Sequence, residues 1–187
     1  EDAEQPYEIV NDVRERISEL AINRPVFAAP VLIDGDIVVS QTSVILEYLG
    51  GKLGYEVADN HRIAASELAY NAADIWRETY DGRKTDNPAF LDERFPRWAA
   101  VLENSFALSP NDTFFFSTKQ PTYVDFLVFN AVTLVEYCWG TPAVAHIEAQ
   151  PRLQRWVQSM RTRPRVKAYF ENPNSLLVAY EAVMARI

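Results

Sequence analysis

The sequence predicts an α+β protein in which a short α/β portion comes first and an all-helical portion follows. Two patterns carry that reading. Up to Gly50 the apolar residues alternate in short runs, Tyr7-Glu8-Ile9-Val10, Val31-Leu32-Ile33 and Ile37-Val38-Val39, the period-2 signature of half-buried strands. From His61 onward they recur at helical spacing in segment after segment. With 187 residues, 48% hydrophobic and 12% aromatic, the chain can bury a sizeable core, as one ordinary domain or two small ones.

Val13–Ala21 is helical in composition, and Pro25 limits its length. The runs ending at Ile33 and starting at Ile37 flank Asp34-Gly35, a dipeptide that favours a type I′ hairpin turn. Thr42–Leu49 then sets Val44, Ile45, Tyr48 and Leu49 at helical spacing, and Gly50-Gly51 is expected to end it. Gly54 with Asp59-Asn60 marks a linker, which divides the chain into 1–54 and 60–187. His61–Tyr80 aligns Ile63, Leu68, Ala72, Ile75 and Trp76 on one side, with Gly82 closing the helix. Phe95–Phe106 does the same with Trp98, Val101, Leu102 and Phe106, and Pro96 falls harmlessly in its first turn. Thr122 and Asp125, three residues apart, form a capping box ahead of the most apolar helix, Tyr123–Tyr137. Pro142, Pro151 and Pro164 each open a helix, giving 142–149, 151–161 and 164–171, and Ser175–Ile187 forms a last one.

Charge and composition narrow the function. A net charge of −8 argues against nucleic acid or an anionic membrane surface as partner, since both need basic patches. The longest apolar run, Phe126–Trp139, is broken by Asn130 and Glu136 and is too short to span a bilayer. No secretory leader is expected. The single cysteine, Cys138, excludes an internal disulfide and suits a reducing compartment, and its apolar helix makes it a buried, inert thiol. A soluble, cytosolic protein is the expectation. His61 and His146 lie far apart and no second cysteine joins them, so no metal is expected. No glycine-rich phosphate loop is present.

One stretch points to a ligand. Ala29–Gly50 reads as proline entry, strand, tight turn, strand and helix start, with the polar pair Gln41-Thr42 at the helix mouth. A fixed backbone edge beside a helix N-terminus suits a small peptide-like ligand carrying a carboxylate. The plainer alternative is that Ser40 or Thr42 caps the helix and Gln41 is solvated.

Taken together, Ala29-Pro30-Val31-Leu32, Asp34-Gly35-Asp36, the run Gln41 to Leu49 and the helical remainder resemble a cytosolic glutathione transferase. Pro121 to Phe126 resembles the capped start of that family's central buried helix, and Pro164 to Tyr169 resembles one of its late helices. Phe95-Pro96-Arg97-Trp98 leans toward the sigma-like, tyrosine-type branch. The resemblance covers essentially the whole chain. It implies a thioredoxin-like N-terminal domain packed on an all-α domain, with a cis peptide at Ala29–Pro30. It further implies glutathione as co-substrate, bound at Ala29, Pro30, Gln41 and Thr42, with Ala29 pairing the cysteinyl backbone and Gln41-Thr42 the γ-glutamyl carboxylate. The implied reaction is thiolate attack on an apolar electrophile, in a cytoplasmic homodimer where an acidic residue near Asn71, here Asp74, meets the γ-glutamyl amine across the interface.

The match has gaps. In a thioredoxin-like half, Tyr7–Val10 would be the second strand, so the opening strand and most of the first helix are missing from the sequence given. That opening segment supplies the family's thiol-activating Tyr, Ser or Cys, and no residue here takes the role. Either the segment lies outside the sequence given or the protein is a truncated relative; an unpaired sheet edge favours the former. Ala28 stands where the family often has Gln, and no Trp precedes the cis-proline. Arg14, Arg16 and Arg24 are substitutes in type, or solvated helix surface. Tyr70, Trp76, Tyr80 and Trp139 line an electrophile pocket or, more simply, pack in the core. The rival functions are a non-catalytic binding or scaffolding relative and a glutathione-dependent isomerase.

Overall fold

The computed structural model describes residues 6–8, 13–21, 26–109, 113–117 and 119–172. Its elements are α1 (Val13–Ala21), β1 (Val31–Asp34), β2 (Ile37–Ser40), α2 (Thr42–Leu53), α3 (Arg62–Lys84), α4 (Phe95–Ser105), α5 (Tyr123–Trp139), α6 (Thr141–Glu148), α7 (Pro151–Arg161) and α8 (Pro164–Glu171). Of the expected strand at Tyr7–Val10, Tyr7 and Glu8 carry no ladder and the rest falls outside the described residues, as does the expected helix Ser175–Ile187.

β1 and β2 pair antiparallel from Val31↔Ser40 to Asp34↔Ile37. That register leaves Gly35-Asp36, not Asp34-Gly35, as the two-residue loop. Gly35 has φ 58° and Asp36 is not among the positive-φ residues. A type I′ turn needs positive φ at both positions, so this is the sign pattern of type II′, with glycine first. The Tyr48 hydroxyl donates to Asp34 Oδ2 at 2.7 Å, and Lys52 pairs with the same oxygen, so α2 clasps the end of the hairpin.

Three glycines expected to stop helices lie inside them. α2 runs through Gly50-Gly51 and stops at Gly54, which has φ 79°. Gly50 is buried, and a Cβ there would stand 3.0 Å from Tyr123 Cβ and 3.2 Å from the Tyr55 carbonyl. Its missing side chain lets α2 approach the start of α5 rather than ending the helix. Gly82 does the same for α3, where a Cβ would meet Phe90 Cβ at 3.0 Å, and α3 continues to Lys84.

The core is built around α5, whose residues from Tyr123 to Val135 are almost all buried. Leu68, Ala72 and Ile75 of α3, Phe95 and Leu102 of α4, and Leu153, Trp156 and Met160 of α7 close around it. Two residues assigned to buried faces point outward instead: Ile63 is 88% exposed and Val101 40%. Ile63 lies seven residues before the exposed Tyr70, so both fall on the outer stripe of α3.

The capping box at Thr122 is present, and its Asp125 does more than cap. One Asp125 oxygen accepts the Phe115 N–H at 2.9 Å and the Trp156 Nε1–H at 2.8 Å. The other accepts the Thr122 N–H at 2.6 Å and its hydroxyl at 2.9 Å. Burial pushes this carboxyl up to about 6, against the downward pull of its four donors.

A second polar joint links α3 to α4. Arg94 donates twice to Glu78, both at 2.8 Å, and Trp98 Nε1–H adds a third bond at 3.0 Å. Arg94 first, with help from Trp98 against the opposing effect of burial, holds the Glu78 carboxyl below its usual 4.5. A depressed folded value means the contribution is present above the unfolded pKa and lost as pH falls through the folded one. Glu78→Gln is therefore expected to cost about 1 kcal/mol at neutral pH. In urea melts run down the acid limb, the difference from the parent protein should shrink below pH 4.5.

Candidate functional site

The hairpin register brings four expected site residues to one end of the fold. Val31 faces Ser40, so Pro30 and Gln41 flank the last pair of the ladder, with Ala29 and Thr42 beyond them. All four are exposed. The Ala29–Pro30 peptide is cis, as the resemblance implied. Ala29 lies outside the β1–β2 ladder, which begins at Val31, so its N–H and C=O are not committed to that pairing.

Gln41 is the unusual residue. It holds φ 73° and ψ 120°, outside the regions that non-glycine residues favour, and its side chain makes no capping bond to α2. Of the plainer reading of this corner, the cap differs, since Gln41 occupies the N-cap position and Thr42 is already helical, while Gln41 is exposed as that reading expected. The first α2 bond runs from the Ile45 N–H to the Gln41 carbonyl at 2.9 Å. The N–H groups of Thr42, Ser43 and Val44 therefore precede the helical ladder and point out of the helix mouth, where an anion is favoured.

Asp74 is placed elsewhere, on the outer stripe of α3 with Ile63 and Tyr70. It is bound to Arg77 at 2.8 Å. Of the substitute arginines, Arg16 pairs with Glu19 at 2.9 Å, whereas the Arg14 side chain and Arg24 fall outside the described residues. The four aromatics proposed as a pocket are not gathered into one. Tyr70 is exposed, Trp76 and Tyr80 stack on each other at 5.8 Å, and Trp139 packs on Phe90 at 6.0 Å. An apolar concavity lies instead between α2, α5 and α8, a volume of about 360 Å³ walled mainly by apolar and aromatic side chains. Sequence reasoning missed it because its walls, among them Leu49, Phe126 and Phe170, come from three distant segments. The one signal was the apolar inner face of α2.

His61 lies against Phe116 and His146 against Phe95. Among the described residues no three His, Cys, Asp or Glu side chains converge on a point, and no described helix is long and apolar enough to cross a membrane. Cys138 is half-buried, and burial pushes its thiol up to about 11. Native protein at pH 8 is expected to react with Ellman's reagent at least ~10-fold more slowly than a free thiol, with one equivalent released on denaturation.

Comparison with known proteins agrees with this arrangement. The family model described as the glutathione S-transferase C-terminal domain matches residues 68–173, more than half of the chain. The Pi-class glutathione S-transferase of Onchocerca volvulus is similar in structure, with a TM-score of 0.76 and 18% identity over 92% of this chain and 84% of that one. The glutathione S-transferase of Ascaris lumbricoides gives 0.72 and 17%, over 91% and 86%. Among curated proteins no sequence match is found. At these identities the solved structures speak for the fold alone: a thioredoxin-like N-terminal region with its hairpin and α2, joined to an all-helical remainder. With the family model spanning α3 to α8, the chain belongs to the glutathione S-transferase family.

Proposed function

We propose that the protein is a cytosolic glutathione transferase that conjugates the glutathione thiolate to apolar electrophiles. The observation that carries the reading is the conformation of Gln41. A non-glycine residue held at φ 73° and ψ 120° with no side-chain capping bond costs about 1–3 kcal/mol, a cost that persists where function requires the geometry. In this position it turns the Gln41-Thr42 backbone toward a ligand at the mouth of α2. The γ-glutamyl carboxylate would take the N–H groups there, and the Ala29 backbone would pair with the cysteinyl unit as an added strand does.

Residues 1–54 then form the glutathione-binding portion and 60–187 the helical one. No residue of 1–54 is assigned the activating hydroxyl, which in this reading a tyrosine on the family's opening strand would carry. The outer edge of β1, which carries no ladder among the described residues, is where such a strand would pair. Its hydroxyl would hydrogen-bond the glutathione thiolate and lower the thiol pKa toward neutrality. The exposed α3 stripe of Ile63 and Tyr70 is the proposed homodimer contact, with Asp74 meeting the γ-glutamyl amine of the opposite subunit.

The test uses full-length protein. Retention on immobilised glutathione and turnover of a generic aryl halide are expected, and loss of both would sink the reading. Retention without turnover would favour a binding or scaffolding relative. Gln41→Gly separates the two roles of the corner. It should relieve the backbone and stabilise the protein by about 1 kcal/mol in urea melts, while glutathione affinity by calorimetry falls about tenfold.

A further inference from the structure

Two rigid pieces meet at the Gln41 corner. The ladder fixes the hairpin as far as the Val31↔Ser40 pair, and the chain is helical again from Thr42. Gln41 stands alone between them, so its φ 73° and ψ 120° set the angle at which α2 leaves the hairpin. A strained backbone persists only where the surroundings over-determine it. Here they include a strut at the far end of both pieces. Asp34, the last residue of β1, accepts the Tyr48 hydroxyl at 2.7 Å, and Lys52 pairs with the same oxygen. Lys52 Nζ also lies 5.7 Å from the centre of the Tyr48 ring, which keeps the three side chains together. Lys52 first, then Tyr48, hold the Asp34 carboxyl below its usual 3.8, so the acceptor is a carboxylate at neutral pH. From the corner, Tyr48 is about 9 Å along α2 and Asp34 about 10 Å along the hairpin. The two arms and the Tyr48–Asp34 bond close a triangle with Gln41 at its apex.

We propose that Asp34 and Tyr48, with Lys52 steadying the shared carboxylate, are positioning residues for the ligand mouth of α2. Their clasp holds Gln41 in its strained backbone and so aims the N–H groups of Thr42, Ser43 and Val44. Without the strut, Gln41 relaxes toward the negative φ that non-glycine residues favour, a rotation of more than ~100° that turns the mouth from its present aim. None of the three side chains needs to touch the ligand. They act on it through the angle between hairpin and helix. The effect on affinity rests on glutathione binding at this mouth, whereas the hold on Gln41 does not.

Two measurements on the full-length protein test it. Tyr48→Phe removes only the hydroxyl and is expected to weaken glutathione binding about fivefold by calorimetry. The KM for glutathione should rise alike, with kcat unchanged within about twofold. Asp34→Ala should lose at least as much affinity, and Asp34→Asn, which keeps an acceptor for the phenol, should recover most of it. The second measurement needs no ligand. In urea melts, Tyr48→Phe should lower the midpoint less in the parent protein than in a Gln41→Gly background, because only in the parent does breaking the clasp release strain. Glu47→Gln is the control. It removes a different surface pair of α2, with Arg62 at 3.5 Å, and its effect should be equal in both backgrounds. A parent protein with no affinity for glutathione sinks the transferase reading, and the melts alone then decide the clasp. Additive effects of Tyr48→Phe and Gln41→Gly overturn the proposal, as does unchanged affinity of Tyr48→Phe in a parent that binds glutathione.

Discussion

Asp125→Ala is expected to lower unfolding free energy by about 3–5 kcal/mol, the largest loss for any single side chain away from the Gln41-Thr42 corner. The size follows from what is left behind. Asp125 serves four donors, and the variant orphans the Phe115 N–H, the Thr122 N–H and the Trp156 Nε1–H in buried positions. The Thr122 hydroxyl alone has a second acceptor, the Phe115 carbonyl at 3.3 Å. Asp125→Asn should lose less but still substantially, because the amide turns one acceptor atom into a donor facing donors. Urea melts at pH 7 on both variants, beside Trp156→Phe, would apportion the loss; the Trp156→Phe effect should be the smallest of the three. A loss under 1 kcal/mol for Asp125→Ala would show that the network does not hold the start of α5.

Gly50→Val is expected to cost about 2–3 kcal/mol through overpacking. The new side chain has no direction to yield in. Its Cβ would press on Tyr123 Cβ and Cδ1, at 3.0 and 3.1 Å, and on the Tyr55 carbonyl at 3.2 Å, and main chain cannot step aside as a flexible side-chain end would. For a chain of this length the melting temperature should fall by about 4–12 °C. Gly51→Val is the control. Nothing stands within 4 Å of a Cβ at Gly51, so only the modest preference against a β-branched residue in a helix remains.

These two positions also mark where the sequence could and could not be read. Asp125 was legible because a capping box is local: Thr122 and Asp125 sit three residues apart, and the apolar run behind them announces a helix. That the same carboxylate also holds Phe115 and Trp156 was hidden, since those contacts join residues 10 and 31 positions away. Gly50 and Gly82 were read as stops because glycine weakens helices locally, and the fold overrides that where a neighbouring element needs the space. Ile63 and Val101 were misplaced for a related reason, as an apolar residue at helical spacing does not say which of two adjacent faces meets the core. The two strands of the hairpin and the start of α2 were legible through short-range patterns, but the turn between the strands was placed one residue early. The groove was not legible, because no sequence periodicity connects Leu49, Phe126 and Phe170.

The junction between α2 and α5 has a bearing on how this protein tolerates change. The Tyr123 N–H donates to the Tyr55 carbonyl at 2.8 Å, and Gln120 donates to the Gly54 carbonyl close by. The first of these bonds is made wholly of main-chain atoms. Substitutions at Tyr55 or Tyr123 can alter the packing there but leave that bond's donor and acceptor in place, proline at position 123 excepted. Mutational drift can therefore rewrite most side chains around the seam while the Gln41-Thr42 corner keeps its bearing on the helices. The residue that such drift must spare is the one with no side chain to lose.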